Sequence, residues 1–337
     1  MIDIKKGYSL KSKNSFGLDI NTQCFVEAST LDSISFSLNY ASYSNLPILI
    51  LGGGSNVLFT KDYNGLVIHP TIKGIEVTED ATDSIIVKVG AGVNWDHLVE
   101  WSVLKGLGGL ENLSLIPGNV GASPIQNIGA YGVEAKDTIV KVEGLSIPSK
   151  KIIALNNSEC QFDYRNSIFK TELKNKIIIT HVNFKLSKKP TLVTHYGNIE
   201  EEISTLGERT VDTVRKAVIN IRKRKLPDPA ELGNAGSFFK NPVVSIETFE
   251  KIKRSFEKAP SYPVSDSTVK IPAGWLIEQC GWKGKKVGNC GVHKDQALVI
   301  VNYGNATGSE ILNLAEQIQK TVLDQFSVEL EMEVNVV

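Results

Sequence analysis

The sequence predicts an α+β protein built from two or three domains. Three observations lead there. The chain has 337 residues, more than one ordinary hydrophobic core accommodates. Strand-like and helix-like apolar patterns alternate through its first half, and both recur in its second. Hydrophobic residues make up 42% of the chain and charged residues 22%, a globular composition rather than a disordered or fibrous one.

The elements follow in order. Residues 30–40 put Leu31, Ile34 and Leu38 on one helical face, with Thr30 placed to cap it. Residues 47–51 read as a buried strand running into Gly52, Gly53 and Gly54. Short strands follow at 66–68, 75–77 and 85–89. Asn94 caps a helix carrying Trp95, Leu98 and Leu104 that stops at Gly106. A glycine-rich stretch, 106–132, is too long for an ordinary connection and reads as functional. Strand alternation returns at 139–147 and 177–186.

Residues 208–225 form an amphipathic helix with Val211, Val214, Val218 and Ile221 on one face and Thr210 at the cap position. It ends before Pro227 and Pro229, the best candidate for a domain boundary. Beyond it come a helix over Phe249, Ile252 and Phe256, another near Leu276, and a strand at 297–301. A long helix at 309–326 follows, with a Thr307–Glu310 capping box and a stripe of Ile311, Ala315, Ile318 and Val322. A last strand is expected at 328–334.

Bulk properties exclude several function classes. Lys plus Arg equals Asp plus Glu at 37 each, so no general attraction to nucleic acid or anionic lipid exists, and an anionic ligand must be held locally. No apolar run approaches the length of a bilayer span. Residues 1–10 lack the apolar segment of a secretory signal, which points to the cytoplasm. Cys24, Cys160, Cys280 and Cys290 form no CxxC pair and read as free buried thiols. The five histidines show no metal-binding spacing, so no metal is expected.

Three segments carry candidate chemistry. Where LGGGSN (51–56) follows a strand, consecutive glycines let backbone N–H groups crowd a phosphate, and Ser55 and Asn56 add side-chain donors. A tight turn between strands is the alternative. In IPGNVGASPIQNIGAYG (116–132), glycines and prolines fix an irregular path, and Gln126 and Asn127 offer amides suited to a heterocycle edge. Two such loops suggest a large ligand with diphosphate and ring parts. GNAGSFFKNP (233–242) presents Ser237 on a turn, as a proton donor or ligand contact. Its alternative is a plain glycine-rich turn with Phe238 and Phe239 in the core. Arg165 beside Tyr164 suits a carboxylate or phosphate. Glu333, from its position alone, reads as solvent-facing.

Taken together, LGGGSNVLF, ENLSLIPGNVGASPIQNIGAYG, DYRNSIFK, KLPDP, GNAGSFFKNP, AGWLIEQCGWKG and VGNCGVHKDQALVIVN, in this order, resemble the UDP-N-acetylenolpyruvoylglucosamine reductase family over nearly the whole chain, in its longer, type I form. The resemblance implies a vanillyl-alcohol-oxidase-like (PCMH-type) two-part FAD-binding fold plus a C-terminal α+β substrate-binding domain. The corresponding division is 1–70 and 71–224 for the FAD subdomains, 225–325 for the substrate domain, and 326–337 for a C-terminal strand reaching the active site.

The same resemblance implies non-covalent FAD, with NADPH as reductant and the enolpyruvyl ether of UDP-N-acetylglucosamine as substrate. Gly53, Gly54, Ser55 and Asn56 would hold the FAD diphosphate. Pro117, Gly118, Gly121, Ser123, Gln126, Asn127, Gly129 and Gly132 would wrap the rest of the flavin. Reduced flavin would give hydride to the terminal methylene carbon, and Ser237 would protonate its neighbour. Arg165 and Glu333 would flank the substrate carboxylate and stabilise the enolic intermediate. Tyr164, Tyr196, Lys225, Asn241 and Gln296 would contact the sugar nucleotide. Glu331 competes with Glu333, because both have the same strand parity. At its end the chain reads Val334-Asn-Val-Val337 where the family usually has Val-Arg.

The resemblance further implies a cytoplasmic monomer acting in peptidoglycan precursor synthesis on small molecules, without nucleic-acid or membrane partners. Two rivals stand beside it. One is an alcohol-oxidising flavoenzyme of the same fold, although none of the histidines lies in either glycine-rich loop to tether the flavin. The other is a non-catalytic sugar-nucleotide or flavin binder, in which Ser237, Arg165 and Glu333 would have no required chemistry.

Overall fold

The structure, a computed structural model, describes residues 2–337. It divides into two units. Unit 1 takes the described residues up to Tyr8, with Asn21–Gly53 and Tyr63–Arg224. Unit 2 takes Ser9–Ile20, Gly54–Asp62 and Lys225–Val337. Two short early segments thus belong with the C-terminal half, which a reading along the chain does not suggest.

Unit 1 holds two large sheets and a small two-stranded one, Gly129–Ala130 with Val133–Glu134. The first has strands β1 (Lys5–Ser9), β2 (Asn21–Ala28), β3 (Ile48–Ile50) and β4 (Tyr63–Pro70) in the order β1-β2-β4-β3. Strand β4 runs parallel to both β2 and β3. Helix α1 (Leu31–Tyr43) lies between β2 and β3 in the chain, and the Thr30 hydroxyl accepts from the Ser33 amide to cap it. Ile34 and Leu38 are buried, but the β3 residues are only half-buried rather than fully enclosed.

The second sheet is antiparallel, with β5 (Ile75–Asp80), β6 (Ser84–Gly90), β7 (Ile139–Ser146), β8 (Ile152–Asn156) and β9 (Ile177–Ser187) in the order β8-β7-β9-β6-β5. Val182 pairs with Val89 on one side and Val142 on the other. All three are buried, forming a ladder across the middle of the sheet. Helix α2 (Trp95–Leu104) is capped by the Asn94 side chain. The Trp95 indole donates to Leu113 O at 2.9 Å, tying α2 to the start of the glycine-rich stretch.

Helices α3 (Ile199–Leu206) and α4 (Val211–Lys225) complete unit 1. Val211, Val214, Val218 and Ile221 of α4 are buried, as their spacing predicts. Full burial of such side chains contributes roughly 1.5–3 kcal/mol each. The helix therefore holds its place by packing rather than by intrinsic propensity.

Unit 2 has a sheet of β10 (Gly233–Ser237), β14 (Lys286–Val287), β15 (Cys290–Val292) and β16 (Val299–Asn302) in the order β10-β16-β15-β14. A smaller sheet joins β11 (Val243–Ser245), β12 (Tyr262–Pro263) and β13 (Thr268–Lys270). Helices α5 (Ile246–Ser255), α6 (Ala273–Gln279) and α7 (Gly308–Phe326) pack with them. The Thr307–Glu310 capping box is present. Phe16, Leu18 and Leu58 share one core with Phe238, Phe239, Ile300 and Ile318, which explains why the two early segments belong here. A Cβ on Gly308 would stand 1.7 Å from Phe59 O, so α7 starts on the one residue that fits.

Two expectations are corrected. Residues 328–334 form no continuous strand; Met332 makes an isolated bridge to Phe239, and the last strand is β17 (Asn335–Val336), parallel to the short strand Val57–Leu58. The GNAGS segment is not a turn but strand β10, with a bulge before Ser237. Among the described residues no helix is long and apolar enough to cross a membrane, and no cluster of His, Cys, Asp or Glu is arranged to hold a metal. All four cysteines are free, three of them buried and Cys280 half-buried.

Candidate functional site

In unit 1 the two glycine-rich loops meet backbone to backbone. A Cβ on Gly53 would lie 2.8 Å from Gly118 Cα. Gly118 itself has φ +119°, and its carbonyl accepts from the Trp95 amide at 3.0 Å. Around this contact the amides of Gly52, Gly53, Gly118 and Asn119 donate to no protein acceptor among the described residues. Gly53 is exposed and Gly52, Gly118 and Asn119 are half-buried, so these donors are open to an anionic oxygen. Further along, Gly121 donates to Ala91 O at 2.9 Å, and a Cβ there would be 2.6 Å from that of Ala91. Pro117 is exposed, and Ser123 is buried with its hydroxyl on Val120 O at 2.8 Å.

Gln126 and Asn127 differ. Gln126 is half-buried. Asn127 is fully buried: its Nδ2 donates to Glu134 Oε2 at 2.9 Å and Asp163 O at 3.1 Å, and its Oδ1 accepts from the Lys136 amide at 3.0 Å. Its side chain braces the loop from inside.

Arg165 occupies the tip of a tight turn closed by reciprocal Asp163–Asn166 backbone bonds of 3.1 Å. Its φ is +52°, an uncommon conformation for a non-glycine residue of the kind that collects at functional sites. Its guanidinium donates to Gly129 O at 2.9 Å and lies 5.7 Å from the Tyr164 ring centroid. The sequence-predicted Arg165, Tyr164 and Gly129 are thus neighbours. Gly132, with φ +82°, sits under Tyr196: a Cβ there would approach Val193 Cγ1 at 3.2 Å and Tyr196 Cβ at 3.5 Å. Tyr196 is exposed.

Sequence reasoning missed Arg222. It falls on the basic tail of α4, where a solvated face is the ordinary expectation. Burial pulls its pKa down, while the Tyr131 oxygen, which attracts the guanidinium and accepts a hydrogen bond from it, and the negative field of Asp96 oppose that shift. Burial likewise raises the Tyr131 hydroxyl above its ordinary value, against Arg222. Next to them Arg215 holds Asp96 through bonds of 2.7 and 3.0 Å, and Asp96 accepts from the Leu115 amide at 2.6 Å. Burial alone would raise the Asp96 carboxyl, but these partners bring it below its ordinary value.

In unit 2 a second group assembles. Gly54 has φ +67°, and a Cβ on it would stand 1.9 Å from Lys13 O. Ser55 is half-buried. The Asn56 side chain donates to Glu333 O at 3.3 Å, and Asn56 O accepts from the Asn335 amide at 3.2 Å. Glu333 is buried, with its amide on Phe238 O at 2.8 Å. Glu331 is exposed and paired with Lys240 at 2.5 Å. Glu331 and Glu333 flank the Met332–Phe239 bridge with the same parity, and the two differ in burial: beyond Glu333 the chain turns to pair with the strand after Asn56, and only Glu333 is buried. The solvent-facing reading of Glu333 is therefore overturned.

Ser237 is exposed, one residue from the buried Phe238 and Phe239. The bulge that presents it rests on Gly236, φ +69°, whose amide donates to Asn234 Oδ1 at 2.9 Å. Asn241 Oδ1 accepts from the Ala273 amide at 2.9 Å at the start of α6. Gln296 Oε1 accepts from the Leu298 amide at 3.4 Å, and Lys225 is exposed at the end of α4.

Comparisons with known proteins agree on one family. Residues 228–337 match the C-terminal domain of UDP-N-acetylenolpyruvoylglucosamine reductase, and residues 22–154 match an FAD binding domain. The chain is 48% identical over 339 aligned positions to UDP-N-acetylenolpyruvoylglucosamine reductase of Flavobacterium johnsoniae, covering 100% of both chains. Among solved structures it resembles UDP-N-acetylenolpyruvylglucosamine reductase (MurB) from Thermus caldophilus, with a TM-score of 0.70, 23% identity and coverage of 100% of this chain and 98% of that one. The fold alone is also similar to 6-hydroxy-D-nicotine oxidase from Arthrobacter nicotinovorans, with a TM-score of 0.56, 14% identity, and coverage of 98% and 87%.

Proposed function

The chain belongs to the UDP-N-acetylenolpyruvoylglucosamine reductase family, and from that membership we propose that it uses NADPH to reduce the enolpyruvyl group of UDP-N-acetylglucosamine enolpyruvate to UDP-N-acetylmuramate. FAD is the cofactor, and bound FAD supplies the hydride chemistry. The observation that carries this reading is the meeting of Gly53 with Gly118, where uncommitted amides crowd a space that any Cβ would narrow. That donor set fits the diphosphate of FAD, with Gly54, Ser55 and Asn56 extending it along the same loop. Pro117, Gly121, Ser123, Gln126, Gly129 and Gly132 would line the rest of the flavin, with Asn127 bracing them.

The remaining chemistry belongs to the chain's own residues. Ser237, exposed on its bulge, delivers a proton to the carbon beside the substrate carboxylate. Arg165 and the buried Glu333 stabilise charge as it develops there; a buried group does this more strongly than one in water. Tyr164, Tyr196, Lys225, Asn241 and Gln296 hold the sugar nucleotide. Family membership ranks this reading above alcohol oxidation and above simple ligand binding. Incubation with NADPH and UDP-N-acetylglucosamine enolpyruvate, followed by mass spectrometry, tests it. The expected product is heavier than the substrate by two hydrogens. Unchanged substrate with the flavin loaded would defeat the proposal.

A further inference from the structure

We propose that Asn112 is a positioning residue that sets the Tyr196 segment against the glycine-rich loop and so governs sugar-nucleotide binding. The inference rests on the reading above, in which Tyr196 contacts the UDP-sugar.

Asn112 lies in the turn Glu111–Leu113 and is buried. Its Nδ2 spends both hydrogens on two carbonyls far apart in the chain: Tyr131 O at 2.9 Å and Val193 O at 2.8 Å. Tyr131 immediately precedes Gly132, and Val193 lies three residues before Tyr196. The two segments also lie against each other, since a Cβ on Gly132 would stand 3.2 Å from Val193 Cγ1 and 3.5 Å from Tyr196 Cβ. On its far side the Tyr196 segment is held by Thr194, whose hydroxyl bonds to Glu200, itself paired with Arg209. Asn112 thus supplies the inner of two anchors, in unit 1 throughout.

The chemistry of the side chain argues for geometry rather than general stability. Asn112 Oδ1 is buried and accepts no hydrogen bond among the described residues. A buried amide is costly unless both ends are satisfied, so a residue serving only the core would be better replaced by leucine. What asparagine gives is two donors aimed in different directions. A carboxylate of the same shape offers none and would repel both carbonyls.

The test is the holoenzyme carrying Asn112→Leu, with each half-reaction followed separately. The KM for UDP-N-acetylglucosamine enolpyruvate should rise about tenfold or more, the factor that the two lost hydrogen bonds supply. Flavin content and the rate of flavin bleaching by NADPH should stay within about twofold. In hydrogen exchange, amides of residues 193–198 should lose protection. Combining Asn112→Leu with Tyr196→Ala should give the KM of Tyr196→Ala alone, because both act on one contact. Parallel loss of flavin and of both half-reactions, or additive effects in the double variant, would overturn the proposal. Should Asn112→Leu not fold, Asn112→Ser, which keeps one donor, is measured in the same way and should give a smaller KM rise with the same split. If Tyr196→Ala alone leaves KM unchanged, it is the assignment of Tyr196 that fails; protection of residues 193–198 then still decides whether Asn112 anchors that segment.

Discussion

The amide of Glu333 donates to the carbonyl of Phe238 at 2.8 Å. This single backbone bond places a buried carboxylate-bearing residue next to the strand that ends in Ser237. The two groups proposed to act on one substrate are thereby held by the same local ladder, with the Asn56 side chain on the Glu333 carbonyl behind it.

Ser237→Ala should therefore leave the NADPH half-reaction intact and slow the sugar-nucleotide half-reaction by roughly 10²- to 10⁴-fold, the usual contribution of a positioned proton donor. Stopped-flow absorbance resolves the halves. Unchanged reoxidation by the sugar nucleotide would remove Ser237 from the proton-donor role.

The two glutamates give a sharper contrast. Glu333→Gln should slow the same half-reaction by roughly 10²- to 10³-fold, the scale seen when a preorganised group facing developing charge is lost. Glu331→Gln removes only a surface partner of Lys240, and exposed pairs of this kind contribute about 0–1 kcal/mol. Its kinetics should match the parent within about twofold; reversal of these two outcomes would assign the active carboxylate to Glu331.

Gly53→Ala forces a methyl group to 2.8 Å from Gly118 Cα. Overpacking of this kind typically costs about 1–3 kcal/mol. Here it separates the loops that supply the proposed FAD seat, so the FAD dissociation constant should rise by roughly tenfold or more. Fluorescence titration of the apoprotein with FAD reads this directly. Wild-type affinity would show that the diphosphate sits elsewhere.

Acid stability follows from Glu143. Burial disfavours its charge, but Lys88 at 2.6 Å, Lys141 at 3.1 Å and the Asn183 amide outweigh burial and hold its carboxyl at about 2, against an ordinary 4.5. A depressed folded-state pKa stabilises the fold fully above the unfolded value and loses that contribution as pH falls. The stability gap between the parent protein and Glu143→Gln should accordingly shrink as pH drops from about 4.5 towards 2. Denaturant melts across that window check it, and a constant gap would refute the assignment.

Much of the molecule is legible in its sequence because the signals are local. Thr30 and Thr307 announce their helices through caps, and α4 through its valine spacing. The glycine motifs mark the loops because those backbones approach more closely than a Cβ permits. What escapes is set by long-range contact. Asn302 Nδ2 reaches Phe16 O at 2.9 Å across 286 residues, one of the bonds drawing residues 9–20 into unit 2. Glu333 reads as exposed because nothing in a short terminal segment signals its cover, whereas the chain just beyond it pairs with the strand after Asn56 and Glu333 is buried. Arg222 hides in a basic helix tail because burial depends on where Tyr131 arrives. The bracing role of Asn127 shows only once Glu134, Asp163 and Lys136 are placed.

The most direct measurement is an anaerobic absorbance experiment on the FAD-loaded protein. The flavin band should bleach with NADPH and recover only when UDP-N-acetylglucosamine enolpyruvate is added. Absence of any flavin band after incubation with FAD would contradict the flavoenzyme assignment, and bleaching without recovery would contradict the proposed substrate.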